Sequence, residues 1–496
     1  MRVRLLHRQL DVRPDTTVPP NADDLATDLD LEMVWAGMAD GDRFVFDVAR
    51  AVMLSSLDDP GAITYRQDVL ADFRAHPGLA RALYELATSA VAGEKRIFGF
   101  LRPTPSGVLR RAVEVLELCV GHLRQLRTLF EEQGADLASE GMRALATTVA
   151  QDLDDVFFSE VARHLGRLRF RGGVWISARL GEGNRGTRHV LRVPSEGRRR
   201  WKERVGLAAP TAYSFAIHPR DEAGLRALAD LTDRGVDLAA NAVAQSADHV
   251  LSFFTQLRLE VAFFLGCCNL EDQLSARGQR VCVPVPVPAE RAVLSARGLC
   301  DASLVLRTGR PPMGNDLEAD GRALVVVTGA SSGGKSTFLR SVGVAQLMAQ
   351  SGMAVCAESY RSSVSTVLGT HFPREEDPGM ERGRFDDELA RLSTLVDLLR
   401  PHGMLLCNES FASTNEWEGS EIGRQVVHAL VESGVRLLLV THLYDLAQSL
   451  FSEEDPAFLF LRAERREDGT RTFRIEEGAP LPTSYGVDLY ERLGGW

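Results

Sequence analysis

The stretch from Ala323 to Gly352 constrains the fold more than any other part of the chain. A short apolar run, Leu324 to Val327, leads into Gly329, Ala330, Ser331, Ser332, Gly333, Gly334, Lys335, Ser336 and Thr337, and the pattern from Lys335 to about Gln350 is helical. A strand, a glycine-rich loop and a helix in this order surround one point with backbone N–H groups and a positive helix end. The spacing (glycine, four residues, then Gly-Lys-Ser) is that of a loop that cradles nucleotide phosphates. Lys335 is expected to reach the β- and γ-phosphates and Ser336 to ligate Mg2+, so ATP and Mg2+ are the expected cofactors. Lysine is otherwise almost unused: Lys95, Lys202 and Lys335 are the only ones among 57 basic residues. Where arginine is the default cation, a lysine in this loop points to a need for its compact ammonium.

The sequence around this loop alternates in the manner of a parallel α/β domain. Strand-like runs at Cys282–Val287, Leu324–Thr328, Met404–Cys407 and Arg436–Val440 are separated by helical stretches from about Val281 onward. The Met404 run ends in Asn408 and Glu409, where ATPases of this type place Asp and then Glu. Asn408 can still accept a bond from a magnesium-bound water, but without a full charge the bond is weaker by about 1 kcal/mol. Glu409 is the expected general base and His442, just past the Arg436 run, a γ-phosphate or water contact. Slow hydrolysis of ATP to ADP and phosphate follows from this set.

At 496 residues the chain exceeds one hydrophobic core, so a multi-domain protein is expected. Residues 1–20 read as a polar lead-in and 21–165 as a helical segment. Within it Val108, Leu109, Ala112, Val113, Leu116, Val120, Leu123 and Leu126 form the stripe of an amphipathic helix, and Met142 to about Leu165 reads as a second long one. Residues 166–208 carry a β element, two strands around a glycine-rich turn within 170–195. Helix resumes at Asp221 and continues, with or without a break, to about Leu274 within a 209–280 segment, and 281–496 is the α/β domain. The seven cysteines show no C-x-x-C spacing and fit free thiols in a reducing cytoplasm. No signal peptide is read at the start, and Arg258 and Glu260 interrupt the most apolar helix, so no membrane association is expected.

The net charge of −11 hides a local reversal. Between Arg163 and Arg204 there are thirteen cations against Glu182, Glu196 and Glu203, with Trp175 and Trp201 among them. Arg169, Arg171, Arg179, Arg185, Arg188, Arg192, Arg198, Arg199, Arg200 and Lys202 are the candidate contacts to a nucleic-acid backbone.

The α/β half resembles the MutS family of DNA mismatch-repair proteins, whose ATPase is of the ABC class. The resemblance rests on four ordered motifs: Thr328 to Thr337; Asn408 to Gly419, including Thr414 and Glu418; Val440-Thr-His442; and Ser484-Tyr-Gly486. It implies long core and lever helices carrying a clamp, here the basic β insertion, and an ATP site completed across a homodimer. The departures change what is implied. The chain enters helices by about residue 24, so the N-terminal mismatch-reading and connector domains are not expected. Phe130 to Glu132 and Phe158 to Glu160 match the family's Phe-x-Glu wedge but lie in helical stripes. Gly383-Arg384-Phe385 lacks the Ser-Thr pair of the trans-acting segment, Glu358 stands before the position of the family's Gln-Lys pair, and C-terminal dimerisation helices are not expected. Two readings stay open: a nucleotide-driven clamp on duplex or branched DNA in repair or recombination, without mismatch sensing, or an ATP-dependent switch acting on RNA, ribosomes or a protein.

Overall fold

The computed structural model describes residues 1–11, 18–97, 104–134, 136–193, 213–374, 383–466 and 470–482. The chain forms two compact units that alternate along the sequence. One comprises Met1–Val3, Arg81–Asp136 and Arg143–Arg258; the other comprises Arg4–Ala80, Leu137–Met142 and Leu259–Trp496. This division cuts across the boundaries expected at 165, 208 and 280. Residues 4–80, read as the polar lead-in up to residue 20 and as helical segment beyond it, belong to the unit of the phosphate loop. The reason is hydrogen bonding that periodicity cannot reveal: Leu57 N–H donates to the Gln350 carbonyl at 3.0 Å, and the Asn21 amide donates to the Leu368 carbonyl at 2.8 Å.

In the first unit the expected stripe is a 29-residue helix, Pro105–Gln133. Thr104 caps it by accepting from Gly107 N–H, and Pro105 fits the first turn, where no N–H partner is needed. Leu109 and Val113 pack with Leu165, Val236 and Ala240 in one apolar cluster. The second long helix is not continuous. It is broken into Glu140–Asp152 and Asp155–Leu168, because the Asp154 side chain accepts from Phe157 N–H and starts a new helix. Phe130 and Phe158 lie inside helices and are buried, as their stripes require. The insertion is an antiparallel hairpin of β1 (Ile176–Leu180) and β2 (Gly186–Leu191), pairing Arg179 with Thr187.

The helix Glu222–Ala276 runs 55 residues without interruption and contributes to both units. By length and composition it could cross a membrane, yet 67% of its apolar window is buried inside the protein. Its Glu260 is fully buried and accepts from Leu5 and Leu6 N–H, so that charge serves the core. The seven cysteines are free.

Among the described residues the second unit contains two sheets. β3 (Val285–Val287), β4 (Leu294–Leu299), β5 (Asn315–Glu318) and β7 (Ser359–Ser363) form a four-stranded sheet in the order β3-β7-β4-β5. The larger sheet combines β6 (Leu324–Gly329), β8 (Leu368–His371), β9 (Met404–Asn408), β10 (Arg436–Val440), β11 (Phe458–Arg465) and β12 (Arg471–Glu477) in the order β12-β11-β6-β10-β9-β8. All pairs in it are parallel except β11 with β12. Its central strands are buried along nearly their whole length, which explains their continuous apolar runs. The expected strand at Cys282–Val287 shortens to Val285–Val287, with Cys282 making an isolated bridge to Val355.

Candidate functional site

The site lies where β6, β10 and β9 end side by side. The parallel register pairs Val440 with both Val327 and Asn408, so the residues after each strand emerge at one edge of the sheet. Thr441 N–H donates to the Val327 carbonyl at 3.2 Å and Glu409 N–H to the Val440 carbonyl at 2.8 Å. Three segments far apart in sequence thus present Gly329 to Thr337, Asn408 with Glu409, and His442 together.

The loop needs its glycines. Gly329 and Gly334 have φ of 108° and 94°, and a Cβ at Gly333 would lie 2.8 Å from the Ala330 carbonyl oxygen. Ser332 adopts a φ of 57° without that freedom, a local strain at the loop's tip. Gly334 precedes the helix Lys335–Gln350, whose bounds match the expected ones. Lys335 is 6% exposed and its Nζ donates to the carbonyls of Gly329 at 2.9 Å and Ala330 at 3.1 Å. Burial lowers the pKa of its ammonium, Glu409 raises it, and Arg471 lowers it further.

The Ser336 hydroxyl donates to the Asn408 amide oxygen at 2.8 Å. Two oxygens therefore stand together beside the loop, a hard donor set of the kind Mg2+ takes together with nucleotide phosphates and water. Asn408 and Ser336 fit the metal in donor type and lack a formal charge. Glu409 follows in the left-handed region, φ 52°. That conformation is costly for a residue with a Cβ and is held by the bond to Val440.

Glu409 lines two cavities. The larger, about 610 Å3, continues from Ser331–Ser336 to an apolar wall that includes Leu304, Pro312, Met313 and Phe473. Sequence reasoning missed Met313 and Phe473, because only the fold brings the segment before β5 and β12 itself beside the loop. Phe473 lies next to Gly334, its ring 3.5 Å from where a Cβ would be, in a left-handed conformation (φ 62°). Asn315 fixes this arrangement by donating to the Phe473 carbonyl at 3.2 Å and accepting from Ile475 N–H at 2.7 Å. The smaller cavity, about 200 Å3, brings Glu409 and the exposed His442 together with Arg374, Glu388 and Arg391.

Behind this second cavity the strand ends are tied to the helix Arg384–Leu398, which begins at the Gly383-Arg384-Phe385 segment. The Glu388 carboxylate accepts from Phe411 N–H, and His371 bridges the Ser410 hydroxyl at 2.7 Å to the Glu388 carbonyl at 3.2 Å. Burial lowers the pKa of His371, favouring the neutral ring. Glu358 is exposed and pairs with Arg280 at 3.0 Å. Ser484-Tyr-Gly486 lies outside the described residues.

In the other unit, Arg169, Arg171, Arg179, Arg185, Arg188 and Arg192 are all exposed. Arg169 differs from the rest: Glu117 holds its guanidinium with two bonds, at 2.9 and 2.5 Å, so it is a paired cation. Arg192 donates to the Ser177 hydroxyl at 2.8 Å. Arg171, Arg179, Arg185 and Arg188 have no acidic partner among the described residues. Arg198, Arg199, Arg200 and Lys202 lie outside the described residues.

Two family models cover most of the chain: MutS2 N-terminal domain over residues 58–277 and MutS domain V over residues 325–494. The DNA mismatch repair protein MutS of Porphyromonas gingivalis is 28% identical over 235 residues, 46% of this chain and 26% of that protein. The corresponding protein of Caulobacter vibrioides is 31% identical over 198 residues, 38% of this chain and 22% of its own length. Endonuclease MutS2 of Streptococcus uberis is 27% identical over 188 residues, 37% and 24% respectively. The matched segment thus spans about a quarter or less of these relatives.

Proposed function

Because the chain belongs to the MutS family, we propose that it is an ATP-dependent DNA-binding protein that hydrolyses ATP slowly and acts in DNA repair or recombination. The observation that carries this reading is the meeting of Lys335, Ser336, Asn408 and Glu409 at the ends of parallel strands of one sheet beside a cavity of about 610 Å3. The N–H groups of residues 329–337 and the Lys335 ammonium hold the phosphates, and the adenine lies against Met313 and Phe473. Ser336 and Asn408 would hold Mg2+, which would supply charge neutralisation of the phosphates. Glu409 takes the proton of the attacking water, and His442 orients that water against the γ-phosphate.

The cations of the β1–β2 hairpin bind the DNA backbone without reading sequence, since phosphate contacts carry no base information. A homodimer through the ATPase unit would place a second chain near the strand ends, where Trp417 is 73% exposed at the start of the helix Glu416–Glu432.

Calorimetric nucleotide titration and phosphate release test the ATPase. Lys335→Ala removes charge-assisted bonds to phosphate and should lower ATP affinity by about tenfold or more. Glu409→Gln should keep ATP affinity and stop turnover. Equal phosphate release by wild type and Glu409→Gln would remove Glu409 from the chemistry. Tighter binding of RNA than of duplex DNA would favour the alternative switch on an RNA partner.

A further inference from the structure

Glu409 opens a turn that is costly to form. Glu409 and Phe411 have φ of 52° and 69°, a left-handed conformation that disfavours any residue with a Cβ. Two such residues within three positions persist only where the surroundings hold them. The direction in which the Glu409 side chain leaves the backbone depends on this turn, so whatever holds the turn also aims the carboxylate.

Three ties hold it, one at each residue. Glu409 N–H donates to the Val440 carbonyl at 2.8 Å, which fixes the turn to β10. His371, at the end of β8, holds Ser410. Its Nε2 faces the Glu388 carbonyl at 3.2 Å, and a carbonyl only accepts, so Nε2 carries the proton and Nδ1 accepts from the Ser410 hydroxyl at 2.7 Å. Phe411 N–H donates to the Glu388 carboxylate. Phe411 is 2% exposed with its ring in the core, so its N–H is shut off from water and needs an acceptor supplied by the protein.

Two of these ties converge on Glu388, in the helix Arg384–Leu398: its carbonyl acts on Ser410 through His371, and its carboxylate acts on Phe411 directly. Glu388 is 7% exposed, and its second carboxylate oxygen is buried with no hydrogen-bond partner among the described residues. Burying a carboxylate in this way is costly, which sets a limit on what the side chain adds to stability. Glu388 borders the smaller cavity together with Glu409 but does not line the nucleotide cavity.

Resting on the reading of Glu409 as the base of ATP hydrolysis, we propose that Glu388 is the positioning residue for that base, its carboxylate holding the Glu409–Phe411 turn in the conformation that aims Glu409 at the attacking water. It acts on turnover and leaves ATP binding alone.

The test is calorimetric ATP binding and single-turnover phosphate release for wild type, Glu388→Ala and Glu388→Gln, with the rate expressed per ATP-binding site and melting curves alongside. Glu388→Ala should slow phosphate release by about ten- to a hundredfold and keep ATP affinity within about threefold. Glu388→Gln keeps an oxygen that can accept from Phe411 N–H and should recover most of the rate. Added to Glu409→Gln, the alanine change should slow residual release no further, because its effect runs through Glu409. Glu388→Asp, one methylene too short to reach, replaces the alanine variant if the latter loses its melting transition. The proposal is overturned by wild-type turnover in Glu388→Ala, by ATP affinity that falls in step with the rate, by Glu388→Gln as slow as alanine, or by a further loss of equal size in the Glu409→Gln background. Failure of the underlying reading looks different: wild type releases no phosphate, or Glu409→Gln releases it as fast as wild type, and the proposal then goes with it.

Discussion

Asn408 ends β9 with a neutral amide beside the phosphate loop. Asn408 carries an amide where a carboxylate would give the metal a charged partner, and its oxygen already accepts from Ser336 at 2.8 Å. Restoring the charge with Asn408→Asp should sharpen the Mg2+ dependence of turnover and lower the Mg2+ concentration for half-maximal rate several-fold, corresponding to about 1 kcal/mol. A Mg2+ titration of phosphate release checks this, and an unchanged midpoint would mean that position 408 does not face the metal. The motif residues were legible because backbone chemistry dictates them: glycine at Gly329 and Gly334, a cation at Lys335, polar residues after a buried strand. Met313 and Phe473 were not, because their place depends on long-range packing of segments far apart in the chain. β5 and β12 flank the loop through long-range register, and no local pattern in the sequence encodes that neighbourhood.

At the scale of elements, helices with strong stripes and the central strands could be read from periodicity, and the hairpin from its glycine-rich turn. The break at Asp154 was missed because one side-chain cap overrode a continuous helical pattern. The affiliation of residues 4–80 was missed because amphipathicity tells which face is buried and not what covers it. The β1–β2 hairpin carries its own prediction. Arg179, Arg185 and Arg188 are exposed and free of acidic partners among the described residues, whereas Arg169 is neutralised by Glu117. Replacing those three with alanine should weaken duplex binding at low salt. It should also reduce the slope of log affinity against log salt by about 0.9 for each phosphate that is no longer neutralised. Arg169→Ala should change the slope much less. An identical slope in wild type and the triple variant would place the DNA-binding surface elsewhere.

For the whole molecule, the proposed DNA-contacting hairpin and the proposed nucleotide site belong to different units, and the helix Glu222–Ala276 supplies residues to both. If ATP and DNA favour the same arrangement of the chain, each must alter the affinity of the other by the same factor, commonly about five- to 150-fold. The central claim is that nucleotide occupancy governs DNA binding. It is tested most directly by titrating a labelled duplex at low salt with the full chain, with and without ATP, using Glu409→Gln to prevent turnover and Lys335→Ala as the nucleotide-blind control. The account predicts at least about a fivefold change in DNA affinity on adding ATP to Glu409→Gln and none with Lys335→Ala. Equal affinity with and without ATP in Glu409→Gln, or no duplex binding in either condition, would contradict it.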